Sequence, residues 1–223
     1  MTNRILIPSS GPDDWQQFLA KPDLQWATGY SARTLAYAWE AVNGLPPEIA
    51  DLTSAAFGPG ELLFAIPEHK TALPGGRRES QSDVFALVRH QAGLATYTIE
   101  GKVDEPFGPT VGEWLIDASA GKRERLDFIL DLLGIQQCPD IIRYQLLHRT
   151  ASALMEADRF GANLAGMIVH SFSPESRWRG EFDQFAELLG VSAAEQETIR
   201  LQVPSGKSLM LGWALGDQSF RRA

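Results

Sequence analysis

The sequence predicts a mixed α/β (α+β) fold, with a central mixed β-sheet of about four to five strands flanked by helices. Three observations carry this. The middle of the chain holds three apolar stretches separated by glycine turns. Helical periodicity stands on both sides of them. Two further short apolar runs, Leu164–Phe172 and Leu209–Leu215, lie among the later helices.

The first thirty residues contain Pro8, Gly11, Pro12 and Pro22 and read as an extended arm, with a short helix at Asp13–Leu19. Ser31 reads as an N-cap. Leu35, Ala38, Trp39 and Val42 follow at helical spacing, and Gly44, Pro46 and Pro47 end that helix. A second helix is expected over Pro47–Ala56, stopped by Gly58-Pro59-Gly60. Glu61–Leu73, Ser82–Val88 and Ala95–Val103 read as a strand meander, with turns at Pro74-Gly75-Gly76 and Gly93. In the third strand, Tyr97 and Ile99 share one face, and Thr96, Thr98 and Glu100 share the other. Helices are then expected at Lys122–Leu133 and Ile141–Arg159, ended by Gly134 and Gly161. Glu181–Leu189 and Ala193–Leu201 read as two short helices between the last two strands.

Composition bounds the function. The chain has 223 residues, 44% hydrophobic and 22% charged, which is ordinary for a globular protein. No apolar run approaches the roughly 20 residues that span a bilayer. The segment Met1–Ser10 lacks a long apolar signal core, so a cytoplasmic location with no membrane partner is expected. A single cysteine, Cys138, excludes a disulfide framework and a cysteine-rich zinc site. The net charge of -8 argues against broad nonspecific nucleic-acid binding, which depends on Lys and Arg meeting phosphates. A local basic patch, or a metal bridging protein to phosphate, remains compatible with it.

The chemistry-bearing stretch is SQSDVFALVRHQAGLATYTIEGKVDEPF, residues 80–107. Asp83 opens one strand, and Glu100 and Lys102 end the next. Positions two apart on a strand share a face, so Glu100 and Lys102 project together. In an antiparallel hairpin the start of one strand lies beside the end of the other, which brings Asp83 to that pair. Two carboxylates suit a hard cation such as Mg²⁺ (or Mn²⁺), which binds through one or two carboxylates plus substrate phosphate. A lysine beside them would orient water or neutralise developing charge. Gly101 leaves its carbonyl open as a further ligand. The bland alternative is a surface hairpin with a Glu–Lys ion pair and an exposed Asp.

The pattern of Asp83, an apolar strand, a turn and a strand ending Ile99-Glu100-Gly101-Lys102 resembles the PD-(D/E)XK nuclease superfamily. Ser82 stands where the name-giving proline would be. The resemblance spans Ser31 to Phe172 and implies a restriction-endonuclease-like domain over 1–223. Its arm and first helices would occupy 1–57, its core 58–175 and a C-terminal elaboration 176–223. It implies a Mg-dependent nuclease in which Asp83 and Glu100 hold metal and Lys102 assists the attacking water. It further implies Glu40 as an extra ligand from the leading helix, nucleic acid as partner, and a homodimer as one arrangement. Gln145 and Arg149, on the polar stripe Gln145–Arg149–Ser152–Glu156, would face substrate; a solvated stripe is the alternative. Arg77 and Arg78 are further candidates for phosphate contact, as are Arg177 and Arg179 beside Trp178.

Two weaker signals are set aside. Glu68-His69-Lys70 repeats the Glu-x-Lys spacing, but no neighbouring-strand carboxylate is expected to pair with it. Ser205-Gly206-Lys207-Ser208 lacks the upstream glycine of a phosphate loop. Alternatives from other classes are a noncatalytic protein on a nuclease-like fold and a hydrolase of a small phosphorylated molecule.

Overall fold

The computed structural model describes residues 5–6, 9–192 and 198–223. A six-stranded sheet runs in the order β1-β2-β3-β4-β6-β5. Its strands are β1 (Gly60–Thr71), β2 (Ser80–His90), β3 (Gly93–Lys102), β4 (Leu164–Ser171), β5 (Thr198–Gln202) and β6 (Ser208–Leu215). β1, β2 and β3 form the expected antiparallel meander. β3 and β4, then β4 and β6, pair in parallel, so the sheet is mixed.

The helices are α1 (Pro22–Gln25), α2 (Ser31–Glu40), α3 (Pro47–Phe57), α4 (Val111–Leu115), α5 (Ala120–Leu133), α6 (Tyr144–Phe160) and α7 (Arg179–Leu188). The Asp13–Leu19 helix is a 3-10 turn over Pro12–Phe18. Gly134 and Gly161 end α5 and α6 in left-handed conformations, as their positions imply. α4 escaped the sequence reading because it is one turn long; a capping box between Thr110 and Glu113 starts it.

Two cores lie on opposite faces of the sheet. On one, Leu146, Leu147, Ala151 and Leu154 of α6 pack with Met167, Val169, Leu211 and Trp213. On the other, Leu35 and Trp39 of α2 and Ile49 of α3 pack with Val84, Tyr97, Ile99 and Ile168. Every residue of β4 is buried, which is why that strand reads as a continuous apolar run: it is covered on both faces.

Two local expectations need correcting. The proposed helix Ala193–Leu201 is a strand where it is described: β5 spans Thr198–Gln202 and pairs antiparallel with β6. Ile199 and Leu201 face inward and Arg200 outward, a period of two that a helix cannot place. Residues 193–197 lie outside the described residues. Ser31 is not an N-cap but the first residue of α2; Tyr30 stands before it, and the carboxylate of Glu105 accepts from the Ser31 N–H at 2.8 Å. That acidic side chain does the capping from a distant loop, so local sequence could not reveal it.

Candidate functional site

β3 and α6 build the site together. Thr96 donates its hydroxyl hydrogen bond to the Ala153 carbonyl at 2.8 Å, and Thr98 donates to that of Arg149 at 2.9 Å. Alternate strand residues are about 6.7 Å apart, and four helical residues rise about 6 Å. One step of two along β3 therefore matches one step of four along α6. Continued one step, the match sets Glu100 beside Gln145, and the long side chain of Arg149, one turn back on α6, reaches the same carboxylate.

Glu100 and Lys102 converge as the strand period requires: Lys102 Nζ donates to Glu100 Oε1 at 3.1 Å. Arg149 Nε donates to Glu100 Oε2 at 2.7 Å, and Gln145 Nε2 donates to Glu100 Oε1. Gln145 is itself oriented, its Oε1 accepting from Gly108 N–H at 3.2 Å. The polar stripe of α6 is thus not solvated. Arg149, Ser152 and Glu156 are buried, turned toward the sheet.

Asp83 lies where the hairpin places it. The β2–β3 register ends at Val84↔Ile99, and beyond that pair Gly101 N–H donates to Asp83 Oδ2 at 2.8 Å. Glu68, set aside on sequence, belongs to the same cleft. The β1–β2 register runs through Pro67↔Val84 and His69↔Ser82, so Glu68 stands across from Asp83. Glu68, Asp83 and Glu100 therefore form a row across three strands. Glu68 carries φ 53, a left-handed conformation that costs a non-glycine residue roughly 1–3 kcal/mol. Its Oε2 accepts from Gln81 Nε2 at 2.6 Å. The signal that finds Glu68 is the hairpin register carried one strand further.

The row sits in a cleft of about 430 Å³. Leu24 and Tyr30 from the N-terminal segment line its mouth, and both are exposed. Electrostatics separates the three carboxyls. Burial raises Glu100, but Arg149 first and Lys102 second outweigh it, so its carboxyl is held below the ordinary value. Asp83 is pushed up to about 7, by burial and then by the charge of Glu100. Glu68 is pushed up to about 8, by burial and then by Asp83. Among the described residues no group of three His, Cys, Asp or Glu side chains comes together as a metal-holding set. Both oxygens of Glu100 are engaged, by Lys102, Arg149 and the Gln145 amide.

A family model described as a domain of unknown function, DUF6946, matches residues 8–218. The chain belongs to that family. No curated protein and no solved structure matches it.

Other predicted residues of this DUF6946 chain lie elsewhere. Glu40 is absent from the cleft; its Oε1 accepts from Trp15 Nε1 at 2.8 Å and from Ser9 Oγ at 3.2 Å. It ends α2, whose first residues touch the cleft, so it lies roughly 13 Å along the helix from them. Arg77 and Arg78 line a different pocket, because the β1–β2 hairpin continues past Glu68 and its loop folds over α5. Arg177 pairs with Asp104 at 3.6 Å, Arg179 with Asp183 at 2.7 Å, and Trp178 Nε1 donates to the Asp104 carbonyl. Asp104 and Glu105 are committed to arginines and backbone amides rather than to the carboxylate row. The Cys138 thiol is pushed up to about 11 by burial and by Asp140, which removes it as a nucleophile at neutral pH. The four histidines have separate partners: His69 with Glu156, His90 with Gly58 and Tyr97, His148 with Ser80, His170 with Glu48. No helix among the described residues is long and apolar enough to cross a membrane.

Proposed function

We propose that this protein is a divalent-cation-dependent phosphodiester hydrolase of the PD-(D/E)XK type, acting on nucleic acid. The observation that carries this reading is the carboxylate row beside Lys102. The order of a leading helix, an antiparallel meander, a helix and a parallel strand accords with it.

Asp83 and Glu68 would offer two carboxylates to Mg²⁺ or Mn²⁺, with Glu100 adjacent but engaged by its own donors. Glu68 Oε1 and Asp83 Oδ1 accept no hydrogen bond among the described residues. Both groups hold protons near neutrality only because they are crowded and buried, a condition that a cation relieves. A bound divalent ion supplies a more acidic water and stabilises charge on phosphate. The chain's own groups do the remaining work. Lys102 holds a positive charge at the cleft, steadied by Glu100 and Gln145. Arg149 fixes Glu100, and Gly101 fixes one oxygen of Asp83.

The test measures Mn²⁺ binding and cleavage of plasmid, single-stranded DNA and RNA. Asp83→Asn should abolish metal binding. Lys102→Ala should keep it and lower cleavage by a factor on the order of 10² or more. Wild-type protein that binds no divalent ion at millimolar concentration would sink the reading. One observation favours a second reading, a noncatalytic protein on the same fold. The closed ion-pair network of Glu100, Arg149 and Lys102 is complete without metal. Metal binding without cleavage of any of the three substrates would support a third, a hydrolase of small phosphorylated molecules.

A further inference from the structure

A second pocket, of about 410 Å³, opens between the β1–β2 loop and the start of α5. Its charge is opposite to that of the carboxylate cleft. Arg77, Arg78, Lys122 and Arg125 line it, against Glu79 as the one carboxylate. The carboxylate cleft is lined by four carboxylates and two cations. In a chain of net charge -8, such a local reversal calls for a physical reason.

Arg125 is the foundation of this pocket. It is 8% exposed and makes no ion pair among the described residues. Its guanidinium donates instead to backbone carbonyls of the loop: Leu73 at 3.0 Å, Pro74 at 2.9 Å, Gly76 at 3.2 Å and Arg78 at 2.7 Å. Those bonds shape the loop but leave its positive charge uncancelled. The carbonyls satisfy its donors but supply no formal negative charge, so the pocket keeps a net positive field. The same bonds hold the loop that carries Arg77 and Arg78, both exposed and neither in an ion pair among the described residues. The first turn of α5 forms another wall, and its dipole adds to the positive field.

We propose that this pocket is an anion site for a phosphate-bearing ligand, contacted by Arg77 and Arg78 with Arg125 as a fixed charge behind them. The site does not rest on the metal reading of the carboxylate cleft. Arg149 and Ser80 stand between the two: Arg149 Nη1 donates to Ser80 Oγ at 3.1 Å, and Ser80 lines this pocket while Arg149 lines the cleft.

The test titrates inorganic phosphate and adenosine 5′-monophosphate into the full chain by calorimetry, with EDTA present so that the cleft holds no cation. Wild-type protein should bind at least one of them below about 10 mM. Arg77→Ala combined with Arg78→Ala, both on the surface, should weaken binding at least about tenfold. Asp83→Asn, in the other cleft, should leave it unchanged. Tighter binding of the monophosphate marks a nucleotide as the ligand; equal binding marks the phosphate group alone. Each supports the site. No binding of either probe, or binding indifferent to the double substitution, overturns it. Amide shifts at Gly75, Gly76 and Gly121 give a second readout, and shifts confined elsewhere also overturn it.

Discussion

Glu100 and Arg149 are the pair on which the site's geometry depends. Both are buried, and each satisfies the other. Arg149→Ala takes the nearer of two cations from the buried Glu100 carboxylate and leaves it with Lys102 alone, so it should lower stability by about 3 kcal/mol in urea unfolding. Replacing the whole network, as Glu100→Leu with Arg149→Met and Lys102→Met, should cost much less, because no charge is then stranded. The row's other carboxyls act in the opposite sense. Glu68 and Asp83 are raised to about 8 and about 7, so the folded chain keeps protons that the unfolded chain has already lost. Their stabilising contribution is present below the unfolded value of about 4 and disappears as pH rises through the folded value. Glu68→Gln should therefore gain in Tm over the wild type progressively from about pH 5 to about pH 8 in metal-free buffer. A flat difference across that window would contradict the raised carboxyl. Glu100 and Lys102 were legible from a spacing of two. Glu68 was not, because its role depends on a register between strands separated by a loop.

At the level of elements, the β1–β2 loop and α5 meet at two glycines. Gly75 has φ 74, and a Cβ there would lie 2.4 Å from backbone atoms of Arg125 and Gly121. Gly75→Ala should cost roughly 2 kcal/mol or more in a denaturant titration. Gly76→Ala should cost less: its Cβ would meet only the tip of the Arg125 side chain, at 3.1 Å. A larger loss at Gly76 would mean that the loop lies differently on the helix. α6 shows why periodicity alone misleads. Its apolar arc predicted a buried face, and its polar arc read equally well as solvent-facing. The helix is buried on both arcs, because Thr96 and Thr98 offer it hydroxyls and Glu100 offers it a charge.

For the whole molecule, one sheet separates two cores, so damage on either side should be felt by both. Trp39→Ala, beneath α2, and Phe182→Ala, beneath α7, remove side chains with no exposed surface. Each should cost about 3–5 kcal/mol. Far-UV circular dichroism and tryptophan fluorescence should still report a single coincident transition for each variant. Separate transitions would show that the two cores unfold independently. The uneven charge of the molecule also belongs to this scale. A net charge of -8 is an average over an acidic cleft and a basic pocket that only the folded chain sets apart.

By itself the sequence determined the mixed α/β class, the meander, the helix-ending glycines and the shared face of Glu100 and Lys102. Each of these follows from spacing within one element or from one turn. The tertiary structure decided whatever joins distant segments. It placed Glu68 in the row and Glu40 on Trp15. It turned Thr198–Gln202 into an edge strand beside β6. It gave both oxygens of Glu100 to neighbouring donors and wrapped the 73–78 loop around Arg125. Periodicity along a chain records which face a residue takes, but not what the fold sets against that face.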